Sequence, residues 1–176
     1  MIIGLTGKNG SGKTAVAEYL KSRSFEYYSL SDEIREEVRK RGFEITREIL
    51  INVGNELREK YGPGVLAERI LKHLGTDRNY VVDSIRNPQE VDVLKRRNDF
   101  TLLAVEADQR IRFERSRARG REDAAQTFQR FVEEEARELD SSNPASQQLH
   151  ATRQKADLVV NNDGTLEELH RGLDQL

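Results

Sequence analysis

Apolar positions in this chain follow two spacings: short unbroken runs, and longer stretches in which they recur every three or four residues. Ile2-Ile3-Gly4-Leu5-Thr6 is a run of the first kind and predicts a buried strand, and Thr14 to Leu20 predicts a helix soon after it. Phe25 to Leu30 reads as a second short strand. Ser31 is placed as the cap of the next helix, with Asp32 and Glu33 complementing the helix dipole in the first turn and Gly42 ending it. Ile49, Leu50, Val53 and Leu57 give helical spacing from Thr46 to Tyr61, which Gly62-Pro63-Gly64 interrupts. Val65, Leu66, Ile70, Leu71 and Leu74 repeat that spacing, so residues 31–75 are expected to form a helical arm. Tyr80 to Ile85 predicts a central strand, followed by a helix opening at Asn87-Pro88-Gln89-Glu90, where the missing N–H of Pro88 costs nothing. Phe100 to Ala107 predicts a further strand. Helices are expected from Asp108 and again, with Phe128, Phe131 and Val132, to about Leu139. Asp140 to Ser146 is a loop of turn-formers, Ala156 to Val160 the last strand, and Thr165 the cap of a final helix through Leu173.

Strands alternating with helices imply an α/β fold in three layers. Right-handed crossovers place helices on both faces of a five-stranded, mostly parallel sheet. At 176 residues the chain is expected to be a single domain, 1–176, able to bury roughly 70% of its unfolded surface. The formal net charge of -2, from 29 basic and 31 acidic residues, argues against a nucleic-acid or membrane partner, so charge must be read locally. The absence of cysteine removes disulfides, thiolate catalysis and cysteine zinc sites, and His73, His150 and His170 are scattered. No apolar run is long enough to cross a membrane and Met1 leads straight into the first strand, so a cytoplasmic protein is expected.

The gap between first strand and first helix carries the chemistry. Gly7-Lys8-Asn9-Gly10-Ser11-Gly12-Lys13-Thr14 fits the phosphate-loop pattern G-x-x-x-x-G-K-[ST] in the required strand–loop–helix context. Glycines let successive N–H groups face phosphate oxygens, and the helix N-terminus adds positive potential. Lys13 is expected to reach the β- and γ-phosphates of a nucleoside triphosphate, and Thr14 to offer its hydroxyl to Mg²⁺. Asp83, at the end of an apolar strand, is the expected second metal-holding and catalytic group; the bland alternative is a cap for the next helix.

Arg86, beyond the same strand end, and Arg35, three residues after Asp32, are candidates to grip an anionic acceptor facing the nucleotide. Six arginines, Arg110, Arg112, Arg115, Arg117, Arg119 and Arg121, stand against Glu114 alone in twelve residues. Helical spacing spreads them around the axis, so several are merely solvated. Arg115 and Arg119 share a face, and Gly120 offers a hinge before Arg121. Residues 115–139 are therefore expected to form a lid whose arginines stabilise a transferred phosphoryl group. A nucleic-acid patch, the rival reading, lacks aromatic interleaving.

This constellation resembles the P-loop nucleotide kinase superfamily, in particular the nucleoside monophosphate kinases and dephospho-CoA kinases. Ser31-Asp32-Glu33-Ile34-Arg35 is similar to their acceptor-holding S-x-G-D-x-x-R, without its glycine. Asp83-Ser84-Ile85-Arg86 resembles D-G-[FY]-P-R, without its glycine and proline. Arg119-Gly120-Arg121-Glu122-Asp123 is similar to the lid, and Asn161-Asn162-Asp163-Gly164-Thr165 to the N-x-G-[ST] turn that packs on adenine. Nearly the whole chain resembles adenylate-kinase-like proteins common in archaea, including the arm from Gly54 to Ala67. The resemblance implies ATP-dependent phosphoryl transfer to a nucleoside monophosphate. Ser31, Asp32, Arg35 and Arg86 would then bind the acceptor; Gly7, Asn9, Gly10, Ser11, Gly12, Lys13, Thr14, Asn161, Gly164 and Thr165 would bind ATP. Dephospho-CoA is the alternative acceptor, with Asp32 or Asp83 taking the hydroxyl proton. A nucleotide-hydrolysing switch or sensor is the alternative of another class.

Overall fold

The computed structural model describes residues 1–118, 127–139 and 143–175. Its sheet takes the five strands β1 (Ile2–Thr6), β2 (Phe25–Ser29), β3 (Asn79–Asp83), β4 (Phe100–Glu106) and β5 (Leu158–Asn161) in the order β2-β3-β1-β4-β5. Every pairing is parallel, so the expected "mostly parallel" sheet is wholly so among the described residues. The helices are α1 (Lys13–Ser22), α2 (Leu30–Lys40), α3 (Arg47–Tyr61), α4 (Val65–Leu71), α5 (Pro88–Leu94), α6 (Gln109–Ala118), α7 (Phe128–Leu139), α8 (Leu149–Gln154) and α9 (Leu166–Leu173).

Alternation along the central strands sorts their side chains to two cores. Ile2, Tyr80, Val82, Phe100 and Leu102 face the layer built from α2, α3, α4 and α5. Leu5, Val81, Leu103 and Val105 face α1 and α9 on the other side. Burial on both faces is why these strands read as unbroken apolar runs. β5 lies at an edge, with Leu158 and Val159 exposed.

Several boundaries differ from the sequence reading, each for a local reason. Ser29, not Ser31, caps α2: its extended backbone ends β2, its Oγ accepts from the Ser31 amide at 3.3 Å, and the chain enters the helix with no intervening loop. Gly42 ends α2 as expected, in the left-handed region (φ 70). Its N–H reaches the Arg39 carbonyl at 3.0 Å and that of Phe43 the Val38 carbonyl at 3.2 Å, a Schellman closure. β3 stops at Asp83 rather than Ile85. β5 starts at Leu158 rather than Ala156, because the Asp157 carboxylate takes the Leu102 amide (2.8 Å) and the Lys95 ammonium (2.7 Å). Helix α8 was not foreseen: it is short, follows a loop of turn-formers, and Gln148 before it makes no side-chain cap. Thr165 caps α9 as expected, in a capping box with Glu168.

Candidate active site

The phosphate loop stands at the carboxyl end of β1, between β3 and β4, where a parallel sheet presents its strand ends to ligands. Its backbone is made by glycines in the left-handed region. A methyl on Gly10 (φ 78) would lie 2.5 Å from the Arg112 carbonyl oxygen, and one on Gly12 (φ 102) would lie 2.0 Å from the Asn162 amide nitrogen. Gly12 is also the residue from which α1 starts, so the open amides of the first turn face the loop's concavity. The Lys13 ammonium folds back over the loop, donating to the Gly7 carbonyl at 2.7 Å and the Lys8 carbonyl at 3.1 Å. Ser11 is fully buried within the loop and its hydroxyl has no partner there. Thr14 is exposed on the first turn.

Asp83 is buried beside this loop because β3 is hydrogen-bonded to β1. The Ile85 amide donates to the Leu5 carbonyl at 3.2 Å and the Thr6 hydroxyl to the Ile85 carbonyl at 2.9 Å, which locks the chain after Asp83 to the root of the loop. One carboxylate oxygen accepts from the Ser84 amide at 2.5 Å, the other from the Tyr27 hydroxyl at 3.3 Å. Burial, and next the charge of Asp83, push the Tyr27 phenol up to about 12, so it stays a donor at neutral pH. Ser84 holds φ 66, the left-handed conformation that a glycine adopts without strain. Serine thus keeps the backbone shape expected of the glycine it replaces in the resembling pattern.

A cleft of about 290 Å³ runs from the phosphate loop under α2 and α3. Asn9, Gly10, Gly12, Lys13, Thr14 and Asp83 form one end; Ser31, Arg35 and Arg86, all expected from sequence, stand in the same cleft. Its ionisable walls include Lys13, Arg35, Arg47, Arg58 and Arg86 against the Asp83 carboxylate, a field suited to anions. Arg35 donates to the Ser31 hydroxyl and the Asp32 carboxylate, each at 2.8 Å, so Asp32 meets the site through Arg35. The Arg86 guanidinium reaches Gln147 at 3.1 Å, and the loop carrying Gln147 is pinned by Asn87, whose amide donates to the Pro144 and Ser146 carbonyls at 2.7 and 2.9 Å.

Sequence reasoning missed the supports of this cleft. Arg58 and Glu90 are both buried and paired, Oε1 of Glu90 taking Nε at 2.9 Å and Nη2 at 2.8 Å. The other Glu90 oxygen accepts the backbone N–H groups of Arg86 (2.9 Å) and Asn87 (3.0 Å), completing a capping box on α5. Asn87 and Glu90, three residues apart before an apolar run, were a legible signal for that box; the partnership with Arg58 was not. Arg47, Tyr27, Ser116 and Gln147 also line the cleft without having been singled out.

Of the arginine-rich segment, Arg112 turns inward, only 3% exposed. It is paired to Glu135 of α7 through both guanidinium nitrogens, donates from Nε to the Ala107 carbonyl at 2.9 Å and reaches the Asn9 carbonyl of the phosphate loop at 3.3 Å. Burial alone would raise the Glu135 carboxyl. The hydrogen bonds and charge of Arg112, with Lys8 and Gln109, outweigh it and hold Glu135 below the usual carboxylate range. Arg115 donates to the Asn162 carbonyl at 2.8 Å, and the Asn162 side chain to the Ser11 carbonyl at 2.8 Å. The turn at Asn161, Gly164 and Thr165 therefore meets the phosphate loop through Asn162. Arg119 and Arg121 lie outside the described residues. Among the described residues no group of three or more His, Cys, Asp or Glu side chains gathers as a metal site, and no helix is long and apolar enough to cross a membrane. The Asp83 carboxylate, the Thr14 hydroxyl and the buried Ser11 hydroxyl are nonetheless the groups that would meet a Mg²⁺–nucleotide held in this loop.

Comparison with known sequences places residues 3–140 within the model of the AAA domain. A UPF0200 protein of Methanocaldococcus jannaschii is 33% identical over all of this chain and 88% of its own length. One from Pyrococcus horikoshii is 34% identical over all of this chain and 95% of its own. Among solved structures, TT1252 from Thermus thermophilus superposes with TM-score 0.61 at 23% identity, covering 99% of this chain and 95% of that one. Shikimate kinase from Bacteroides thetaiotaomicron superposes with TM-score 0.59 at 14% identity, covering 99% and 97%. At those identities the likeness is one of fold, and the fold is P-loop kinase-like.

Proposed function

The chain belongs to the UPF0200 family and carries its AAA domain on a P-loop kinase-like fold, and from that premise we propose that it is an ATP-dependent phosphotransferase acting on a nucleoside monophosphate. The observation that carries this reading is the continuity of the cleft: the phosphate loop and a cationic acceptor wall containing Arg35 and Arg86 share it. A nucleotide-hydrolysing switch has no use for such a second anion site.

On this reading residues 7–14 hold the ATP phosphates, with Lys13 leaving its loop carbonyls for the β- and γ-phosphates. Thr14 and Asp83 would hold Mg²⁺, which neutralises phosphate charge when bound. Asn161, Gly164 and Thr165 pack toward the adenine. Arg35, with Ser31 and Asp32, and Arg86 orient the acceptor phosphate, while Arg115, joined by Arg119 and Arg121, closes over the transferred group. An acceptor phosphate oxygen forms a bond to the γ-phosphorus as the bond to the β–γ bridging oxygen breaks, giving ADP and a nucleoside diphosphate. The acceptor oxygen is already anionic, so no base is needed, and catalysis is positioning with electrostatic stabilisation. The residues 31–75 serve as acceptor-binding arm and 115–139 as lid.

The test is a coupled assay for ADP with Mg·ATP and a panel of nucleoside monophosphates plus dephospho-CoA. Strong stimulation by one acceptor establishes the reaction and names its substrate. ADP release that no acceptor stimulates refutes it.

A further inference from the structure

Two side chains from outside the phosphate loop hold its carbonyls. Arg112 of α6 reaches the Asn9 carbonyl from Nη1 at 3.3 Å, and the Asn162 side chain donates to the Ser11 carbonyl at 2.8 Å. Both residues are buried, 3% and 5% exposed, and both stand hard against the loop: a methyl on Gly10 would strike the Arg112 backbone, and one on Gly12 the Asn162 amide. Asn9, Gly10 and Gly12 line the cleft, whereas Arg112 and Asn162 are not among the described residues of its wall. The carbonyls of Asn9 and Ser11 are therefore drawn to the side away from the cleft.

A peptide unit is planar, and in the trans form found among the described residues its C=O and N–H point in opposite directions. Drawing the Asn9 oxygen away from the cleft turns the Gly10 N–H toward it, and drawing the Ser11 oxygen away does the same for the Gly12 N–H. Glycine at both positions, φ 78 and φ 102, puts no side chain in the way of these planes, so the outside donors decide where the amides point. Arg112 is itself fixed. Glu135 of α7 takes both terminal guanidinium nitrogens and the Ala107 carbonyl takes Nε at 2.9 Å. The Glu135 carboxylate is steadied in turn by Gln109 at 2.9 Å and Lys8 at 3.5 Å.

We propose that Arg112, locked by Glu135, and Asn162 are positioning residues that preset the Gly10 and Gly12 amides as donors to a bound phosphate chain. They act through the loop backbone and touch no ligand themselves. An amide already aimed at the anion need not be turned when the anion arrives, so its full strength goes into binding. The inference rests on the phosphate-loop half of the phosphotransferase reading and is independent of the acceptor.

The experiment measures, by calorimetry on the full chain, the affinity for Mg·ADP and for inorganic tripolyphosphate, which reports on the loop without an adenine. Arg112→Met alone strands the Glu135 carboxylate and should lower the melting temperature. Combined with Glu135→Met, it leaves no buried charge unpaired and the two deleted charges cancel, so the melting temperature should recover. The donor to the Asn9 carbonyl stays lost, and the double variant should bind both probes about tenfold more weakly than native protein. Asn162→Ala, which breaks no ion pair, should weaken both by a similar factor and carries the test if the double variant does not fold. Affinity for tripolyphosphate that returns with the melting temperature, or a loss confined to Mg·ADP, overturns the inference. Native protein that binds neither probe refutes the phosphate-loop reading and the inference with it. Weakened tripolyphosphate binding in the variants, without acceptor-stimulated ADP formation by native protein, upholds the inference and refutes the phosphotransferase reading alone.

Discussion

Replacing Glu90 by glutamine keeps the shape of a side chain that is 0% exposed and removes its charge. In the native protein its two oxygens accept three hydrogen bonds, one from Arg58 Nε and two from the backbone of Arg86 and Asn87, and Oε1 also lies 2.8 Å from Arg58 Nη2 in the ion pair. A glutamine has one carbonyl oxygen, so whichever way it turns, its amide N–H₂ meets two donors. Facing Arg58, it leaves a buried guanidinium unpaired; facing the backbone, it opens the α5 cap and frees Arg86. Breaking a buried ion pair from one side costs roughly 3–5 kcal/mol. For a chain of 176 residues that corresponds to a fall in Tm of about 10 °C. Thermal melts and urea titrations followed by circular dichroism measure it, with acceptor KM as the functional readout of a loosened Arg86. The decisive control is Arg58→Met. Alone it strands a buried carboxylate oxygen and costs about 3 kcal/mol. Combined with Glu90→Gln, it lets the glutamine carbonyl return to the two backbone donors, so the double variant should be about 2–3 kcal/mol more stable than the two single losses predict. A Glu90→Gln melt within about 3 °C of native, or costs that add within about 0.5 kcal/mol, would refute the reasoning.

Lys13→Ala should reduce turnover at least about 100-fold with Tm changed by no more than a few degrees, since the ammonium bonds carbonyls of its own loop, Gly7 and Lys8; retained activity would remove the phosphate-loop reading. Glu135 titrates below its unfolded value, so its contribution to stability is present above about pH 4.3 and is lost as pH falls through the depressed folded value. The gap in urea midpoint between native protein and Glu135→Gln should be constant from about pH 5 to 8 and shrink below about pH 4; a gap that holds to about pH 3 contradicts the Arg112 pairing. Gly12→Ala places a methyl at φ 102 and 2.0 Å from the Asn162 amide nitrogen. It should cost about 2–3 kcal/mol in urea denaturation and weaken ATP binding, because strain and the loss of the bond from Asn162 to the Ser11 carbonyl add.

The phosphate loop and the parallel sheet were legible because each is written in residues close together: glycines at fixed offsets, β-branched runs, helical spacing, Gly42 and Thr165 at helix ends. Asp83 and Arg86 were legible too, since the end of an apolar strand in an alternating fold points to the ligand edge. The arginine-rich segment marks the opposite case. Spacing alone could not distinguish Arg112, buried against Glu135, from Arg110 or Arg117, because the partner lies 23 residues away on another helix.

By itself, then, the sequence determined the fold class and the phosphate loop, whose signals are local and need no partner. The tertiary structure decided where each charge ends up and what surrounds it. Arg58 and Arg112 are neutralised in the interior, Arg35 is engaged by Asp32, Asn162 rather than Asn161 braces the loop, and Arg47 joins Arg86 in the cleft. Charge–charge and hydrogen-bond energies depend on distance and burial, and both are set when remote segments pack together.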